Sequence, residues 1–269
     1  MRLRTRKTTG LLRTCGVWIG GLFLLASLTG CSSSIYGWQV RTNSTELSPS
    51  FHPASLEQDG VAIFPAITAP GLRGNEVGLA HYLGQILRRV SPNWQIVSEQ
   101  DTLARLNRQG LAGQYTSVRN DYDQSNVLDR DALRKFREAV GARFVFQPRL
   151  AAFTQVMQDR WKFPALDLRL TQTRSSVMRI SLQLWDGETG ELLWTSIAET
   201  AMESEAISQD PVYLEDIARA TLGSIVSDFL NRKRASKYTP LNKFLDDLIK
   251  EAIPIEKEKN GDGGEPPAK

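Results

Sequence analysis

The chain has 269 residues, with 33 basic and 30 acidic side chains, two histidines and two cysteines, for a net charge of +3. Five of the basic side chains (Arg2, Arg4, Arg6, Lys7 and Arg13) and none of the acidic ones precede residue 31, so from Cys31 onward 28 basic groups face 30 acidic ones, a net of −2. That balance gives no support to a nucleic-acid partner, which would demand a basic stripe, and the length suffices for one domain of ordinary size with tails.

Behind the cationic start runs an uncharged apolar stretch from Val17 to Leu28, the form of a secretory signal. At ~1.5 Å rise per residue its roughly twelve residues fall well short of a ~30 Å hydrocarbon core, so a permanent span is the weaker reading. The stretch ends in Leu28, Thr29, Gly30 and Cys31, which resemble a bacterial lipobox. The resemblance implies cleavage of residues 1–30 between Gly30 and Cys31. It also implies diacylglycerol on the Cys31 sulfur and an acyl chain such as palmitate on its new amine. Cys15 follows Arg13 and Thr14 with no apolar run before it, and it leaves with the signal. The mature chain then has no thiol for a disulfide, a zinc site or nucleophilic catalysis. Ser32 stands where inner-membrane lipoproteins of enteric type often carry Asp. By resemblance this favours the outer membrane, with the domain facing the periplasm.

Residues 31–59 are rich in Ser, Asn and Pro, with Ser32, Ser33, Ser34, Asn43, Ser44, Ser48, Pro49, Ser50 and Pro53 and no sustained apolar period. This predicts a flexible lipidated tether, roughly 30 Å end to end as a coil and about 95 Å when stretched. Ile35, Tyr36 and Trp38 close to the lipid are read as interfacial contacts rather than core.

A single α/β domain is expected over residues 60–233. Val61 to Phe64 form a short buried strand, and Leu79, Leu83, Ile86, Leu87 and Val90 recur at helical spacing. Trp94 to Val97 read as a second strand, Ser98 as the N-cap of a helix ending at Gly110, and residues 111–126 as polar and turn-rich. Asp129 or Asp131 caps a third helix that carries Leu133, Phe136 and Val140 inward to Gly141. Arg143 to Gln147 form a strand whose continuation through Pro148 to Gln155 is predicted to be bulged or on an edge, since proline cannot donate to a ladder. Met178, Ile180, Leu182 and Leu184 alternate with Arg179, Ser181 and Gln183, one face buried and one wet, and the turn Asp186–Gly190 leads back through Leu192 to Ile197. Asp210 and Pro211 suit the start of a long helix with Leu214, Ile217, Leu222, Ile225 and Phe229 inward. The expected order is β-α-β-α-α-β-β-β-α, a mixed sheet of about five strands packed by helices. Residues 234–269 are expected to hold one short helix, near Leu241 to Ile249, and a disordered tail.

Residues Gly141 to Ser196, with "GARFVFQPRLAAFTQ" leading into "RISLQLWDGETGELLWTS", resemble the curli-production assembly and transport lipoproteins. The opening "VAIFP" and the helix "DPVYLEDIARATLGSIVSDFL" are similar too, and the pattern is shared with penicillin-binding-protein activator lipoproteins and the amino-terminal domain of the Tol-system propeller protein. The resemblance implies a compact α/β domain on the periplasmic side of an outer membrane. Curli secretion subunits place two membrane-crossing hairpins each in a shared barrel. One insert is present here, residues 156–174 with Leu166, Leu168 and Leu170 alternating with polar residues. The second position, Ala198 to Asp210, is too short for two strands of ~9 to 11 residues.

The catalytic and metal patterns fail on spacing. His52 and His81 have no acid or nucleophile at a diagnostic distance. The calcium-loop start at Asp121, Asp123 and Ser125 lacks its turn glycine and its bidentate glutamate. Gly71, Gly74 and Gly78 lack the Lys and Ser/Thr pair of a phosphate loop. No catalysis, cofactor or metal is expected beyond the lipid on Cys31. Within the insert, Trp161 and Phe163 between Arg160 and Lys162 read either as a partner-binding hot spot or as satellite core. The expected function is a lipid-anchored accessory or scaffold protein of an envelope assembly or export system, acting by protein–protein interaction, with homo-oligomers allowed. The alternatives are a secretion-channel subunit and an activator of a cell-wall synthesis enzyme.

Overall fold

A computed structural model describes residues 35–76, 78–163, 168–206 and 214–238. The chain opens with β1 (Ile35–Ser44), helix α1 (Ser55–Asp59) and strands β2 (Val61–Ile63) and β3 (Ile67–Thr68). Helix α2 (Leu79–Val90), strand β4 (Ile96–Val97) and helices α3 (Glu99–Arg108), α4 (Ala112–Ser125) and α5 (Arg130–Val140) follow. Then come β5 (Phe144–Phe163), β6 (Leu168–Asp186), β7 (Leu192–Ala206), α6 (Leu214–Leu230) and β8 (Ala235–Tyr238). The strands form one open mixed sheet in the order β4-β2-β5-β6-β7-β1-β8, with β3 also on β5. Pairings of β2 with β4 and of β2 and β3 with β5 are parallel, and those from β5 through β8 are antiparallel.

The α/β class and the packing of helices on one mixed sheet are as the sequence predicts. One face of the sheet lies under α2 and α6, where Leu83, Leu87, Ile217, Leu222, Ile225 and Phe229 are buried against β2, β5, β6 and β7. Phe229 is the hub of that core, with ring contacts to Trp194 at 4.8 Å and Phe146 at 5.8 Å. The predicted stripe Met178, Ile180, Leu182 and Leu184 is fully buried in the same cluster as Ile217 and Phe229. The other face of β2 and β5 is covered by α3, α4 and α5, through Leu106, Tyr115, Tyr122, Leu133 and Phe136. Beyond those helices it is open, with Ile197 47% exposed and Arg179 paired to Glu199. The wet face expected for β6 is therefore wet only in part. Trp185 is buried in the second core, and Gln183 accepts hydrogen bonds from Tyr122 Oη (2.8 Å) and Trp185 Nε1 (3.0 Å).

Local signals at helix ends behave as expected. Ser98 Oγ accepts from the N–H of Asp101 (3.1 Å), Asp129 Oδ1 accepts from Ala132 (2.8 Å), and Gly141 closes α5 at φ 71°. Three expectations are corrected. The stretch expected to be a tether is built into the fold, since β1 pairs with β7 along ten residues and with β8 along four, and Ser55–Asp59 form α1. Its composition misleads because the inward positions after Val40 are Thr42 and Ser44, whose hydroxyls are satisfied inside the protein by Asp228 and Ser196. Residues 111–126 form α4, with Tyr115, Val118 and Tyr122 buried at helical spacing. The strand from Pro148 to Gln155 is as expected, with a bulge between Leu150 and Ala152 and no described strand beside it from Ala152 on the side away from β6. Phe146 C=O accepts from Phe64 N–H (3.0 Å), so Pro148 turns its nitrogen to the same side, into the interval between β2 and β3 where no donor is called for. Part of the expected tail is also sheet, as β8. Asp210, Pro211 and the helix expected near Leu241 to Ile249 lie outside the described residues.

The turn after β6 is fixed by charge. Arg143 Nη2 donates to Asp186 Oδ2 (2.8 Å), and Glu188 N–H donates to Asp186 Oδ1 (2.8 Å). Burial raises the Asp186 pKa, but the Arg143 guanidinium and the N–H groups of Glu188 and Thr189 outweigh it and hold the carboxyl below its ordinary value. Gly190 sits at φ 75°, and a Cβ there would meet Arg130 Cγ at 2.6 Å, so only glycine fits the turn.

Two predictions follow from this packing. Leu182→Ala is expected to cost on the order of 2 to 5 kcal/mol in denaturant melts, while Ser181→Ala on the opposite face costs under about 0.5. Equal costs would reverse the assigned strand facing. Asp186→Asn is expected to destabilise by about 1 to 3 kcal/mol at neutral pH. Because the folded pKa is depressed, the wild-type advantage is full above the unfolded value of about 3.9 and is lost as pH falls from there through the folded value. A gap between the two melts that stays constant through this acid range would refute the assignment.

Candidate interaction surface

The antiparallel strands carry the sheet past its helices. In register, Gln158 of β5, Thr173 of β6, Glu205 of β7 and Ile35 of β1 stand in one row across four strands. Beyond this row β5 and β6 continue as a hairpin that pairs up to Phe163 and Leu168. The predicted site residues Arg160, Trp161, Lys162 and Phe163 are all in β5 at this far end, so the backbone places them on a projecting hairpin. The pairing is irregular there, with register shifts on both sides of Trp161. The side chains of residues 158–174 lie outside the described residues, as do Gly30 and Cys31. No described strand lies beside β5 at Ala152–Val156 on the side away from β6, which leaves an open edge.

The opposite end of the sheet holds a cleft of about 430 Å³. Phe51, Trp194 and Phe229 form its apolar floor, and His52, Arg232, Lys233 and Arg234 lie around it. Arg234 Nη1 is 2.7 Å from Glu46 Oε1, whereas Arg232 and Lys233 have no ion-pair partner among the described residues. Arg232 adopts the left-handed backbone (φ 53°), which turns the chain from α6 into β8 at a cost of about 1 to 2 kcal/mol. An apolar floor under a cationic rim suits an acidic segment with an apolar anchor. Sequence reasoning missed this site because Thr45 to His52 were assigned to a tether and Arg234 to a tail, so nothing brought them to Trp194 and Phe229 of the domain. The run Arg232-Lys233-Arg234 and the isolated Phe51 were the available signals.

Between the two ends lies a polar seam. Asp228 of α6 is fully buried, and its Oδ2 accepts from Thr42 Oγ1 of β1. Its Oδ1 accepts from Ser236 Oγ (2.8 Å) and Tyr238 Oη (2.9 Å) of β8. Ser44 donates to Ser196 (2.8 Å), and Thr200 and Thr221 hydrogen-bond at 2.7 Å. Elsewhere His81 is exposed on α2, where its Nε2 lies 2.9 Å from Gln85 Nε2. Among the described residues no group of three His, Cys, Asp or Glu is placed to hold a metal ion, and no helix is long and apolar enough to cross a membrane.

No protein-family model and no curated protein matches the chain. Among solved structures it is similar to a PelC dodecamer from Paraburkholderia phytofirmans, at 13% identity and a TM-score of 0.38, over 70% of this chain and 95% of that one. It is also similar to lipoprotein GNA1162 from Neisseria meningitidis, at 13% identity and a TM-score of 0.39, over 64% of this chain and 95% of that one.

The seam is open to a direct test. Asp228→Ala removes the shared acceptor of Thr42, Ser236 and Tyr238 and is expected to cost on the order of 3 kcal/mol. Hydrogen exchange should quicken in residues 35–44 and 235–238 before it does in β5 and β6. Uniform loss of protection across the sheet would show that Asp228 does not hold these two strands in particular.

Proposed function

We propose that the protein is a lipid-anchored accessory or scaffold protein of an envelope assembly or export system, acting through protein–protein interaction. The observation that carries this reading is the start of β1. Only Ser32, Ser33 and Ser34 separate the lipobox cysteine from a strand paired on the sheet, so an acylated Cys31 holds the domain directly at its membrane. A domain held that way is a fixed platform, not a module that searches at the end of a long tether. The resemblance of residues 60–230 to curli-transport lipoproteins and Ser32 after the cysteine support an outer-membrane, periplasm-facing placement. The cleft floored by Trp194 and Phe229 lies at the end of β1 away from Cys31 and is the surface offered to a partner. A second reading, an oligomeric export subunit, draws on the open edge of β5 at Ala152–Val156. Such an edge has backbone donors and acceptors ready for a strand of another copy.

Each acyl CH₂ buried in a bilayer contributes ~0.8 kcal/mol, so several chains together hold the domain at the membrane essentially permanently. Cys31→Ala is expected to yield an uncleaved or soluble form in cell fractionation, while the parent chain floats with outer membranes in a density gradient. A mature-length Cys31→Ala chain that still sediments with membranes would sink the reading.

A further inference from the structure

A second cleft, of about 360 Å³, opens between β3 and α4, on the side of the sheet that α3, α4 and α5 cover. Its lining is polar and cationic. Arg73, from the turn after β3, and Arg119, from α4, both line it and are both exposed, and neither guanidinium has a hydrogen-bond or ion-pair partner among the described residues. The carboxylate in the same wall does not balance them, because Asp123 is already paired to Arg149 Nη2 at 3.1 Å. Two like charges brought to one cleft repel each other, and an anion seated between them turns that repulsion into attraction. Thr116 Oγ1 donates to Ala112 C=O (3.0 Å) and Thr68 Oγ1 to Leu150 C=O (3.3 Å), so their hydrogens are spent. The Asn120 amide, one position from Arg119 and without a hydrogen bond among the described residues, is a further donor in the wall.

Tyr115 adds a donor with nothing to bind. It lines the same cleft at 8% exposure, its ring edge-on to Phe64 (5.5 Å) and Phe136 (5.9 Å), and its hydroxyl is buried with no hydrogen-bond partner. Burial pushes the phenol pKa up and the nearby Arg119 charge offsets this in part, so the hydroxyl keeps its proton beside that guanidinium. Buried hydroxyls without an acceptor are costly and rare in native proteins, and a ligand oxygen is one way to complete them.

We propose that this cleft binds an oxyanion group, a phosphate monoester or a carboxylate, carried on a small hydroxylated molecule such as a sugar phosphate or a sugar acid. Arg73 and Arg119 supply planar forks that match such a group, with Asn120 and the Tyr115 hydroxyl as neutral donors. The volume is that of a small-ligand site rather than of a lone ion. Ile67 is the one aliphatic side chain among the described lining residues, which suits a polar ligand body and not an acyl chain. The site shares no residue with the cleft floored by Trp194 and does not depend on the anchor.

The test is isothermal titration calorimetry on the full chain in detergent at low ionic strength, with glucose 1-phosphate, glucuronate and glucose as probes, alongside thermal melts. Saturable binding is expected for at least one anionic probe and not for glucose, and the tighter of the two anions decides between phosphate and carboxylate. Arg73→Gln and Arg119→Gln are each expected to weaken that probe about tenfold or more, as loss of a charge-assisted hydrogen bond does, with the unliganded melt unchanged. Arg41→Gln, which removes an exposed cation of β1, is expected to bind as the parent does. Tyr115→Phe is expected to weaken binding several-fold without lowering the unliganded melt, since no internal hydrogen bond is lost. The inference is overturned by a chain that binds neither anion, by glucose binding as tightly as they do, or by Arg41→Gln weakening binding as much as Arg119→Gln. A Tyr115→Phe chain that melts lower without ligand and binds like the parent would overturn it as well.

Discussion

The fold hangs on a carboxyl group with no access to water. Burying such a group costs several kcal/mol unless its oxygens are satisfied, and Asp228 meets that condition by accepting from Thr42, Ser236 and Tyr238. Thr42 lies 186 positions away in sequence, and the other two lie just beyond the helix end. One side chain on α6 thus binds the first described strand and the last to the helix that packs over them. β8 has four residues and one neighbour, too little to persist by ladder bonds alone. Its place in the sheet depends on Asp228.

The helix that carries this group is built for burial almost all round. From Ile217 to Phe229 every residue of α6 is buried, with apolar positions at Ile217, Leu222, Ile225 and Phe229 and polar ones at Thr221, Ser224 and Asp228. The apolar positions join the core shared with β5, β6 and α2, and the polar ones include the contacts to β7, β1 and β8. At its start Arg219 pairs with Glu215 (2.7 Å) and lies over the Tyr82 ring at 4.6 Å, which ties α6 to α2 without an apolar residue at that position. Hydrogen bonds across such a seam fix register more sharply than apolar contact does, because a hydroxyl displaced by one residue loses its partner outright.

The difference between apolar and polar burial also explains what could be read from the sequence. The strands at Val61 and Met178, the helices around Leu83, Phe136 and Ile225, and the caps at Ser98 and Asp129 declare themselves by apolar period or by local hydrogen bonding, and all are present. β1 could not be read this way. Its inward face, Val40, Thr42 and Ser44, carries the composition of a linker, and its partners lie at Asp228 and Ser196, a distance no local pattern encodes. α4 was obscured in the same way, since Gly113, Asn120 and Asp121 interrupt a stripe whose anchors are two tyrosines. At the candidate surface, the aromatic and cationic composition of Arg160 to Phe163 was legible. The cleft was not, because residues 45–52 and 232–234 come together only after β1 and β8 have paired.

Pairing direction then decides which end of the domain meets other molecules. β8 runs antiparallel to β1, with Ala235 opposite Asn43 and Tyr238 opposite Val40, so the chain leaves the sheet heading back toward the end at which it entered. The β5–β6 hairpin projects at that same end. The start of β1, the hairpin and the end of β8 therefore share one side. The other side is left to loops, residues 45–54, 187–191 and 231–234, two of which line the cleft. Loops on a rigid scaffold are where binding residues concentrate, because their backbone is free of the ladder and their side chains need not fill a core. At that loop-built end Arg232 and Lys233, which have no ion-pair partner among the described residues, lie beside the aromatic floor of Phe51, Trp194 and Phe229.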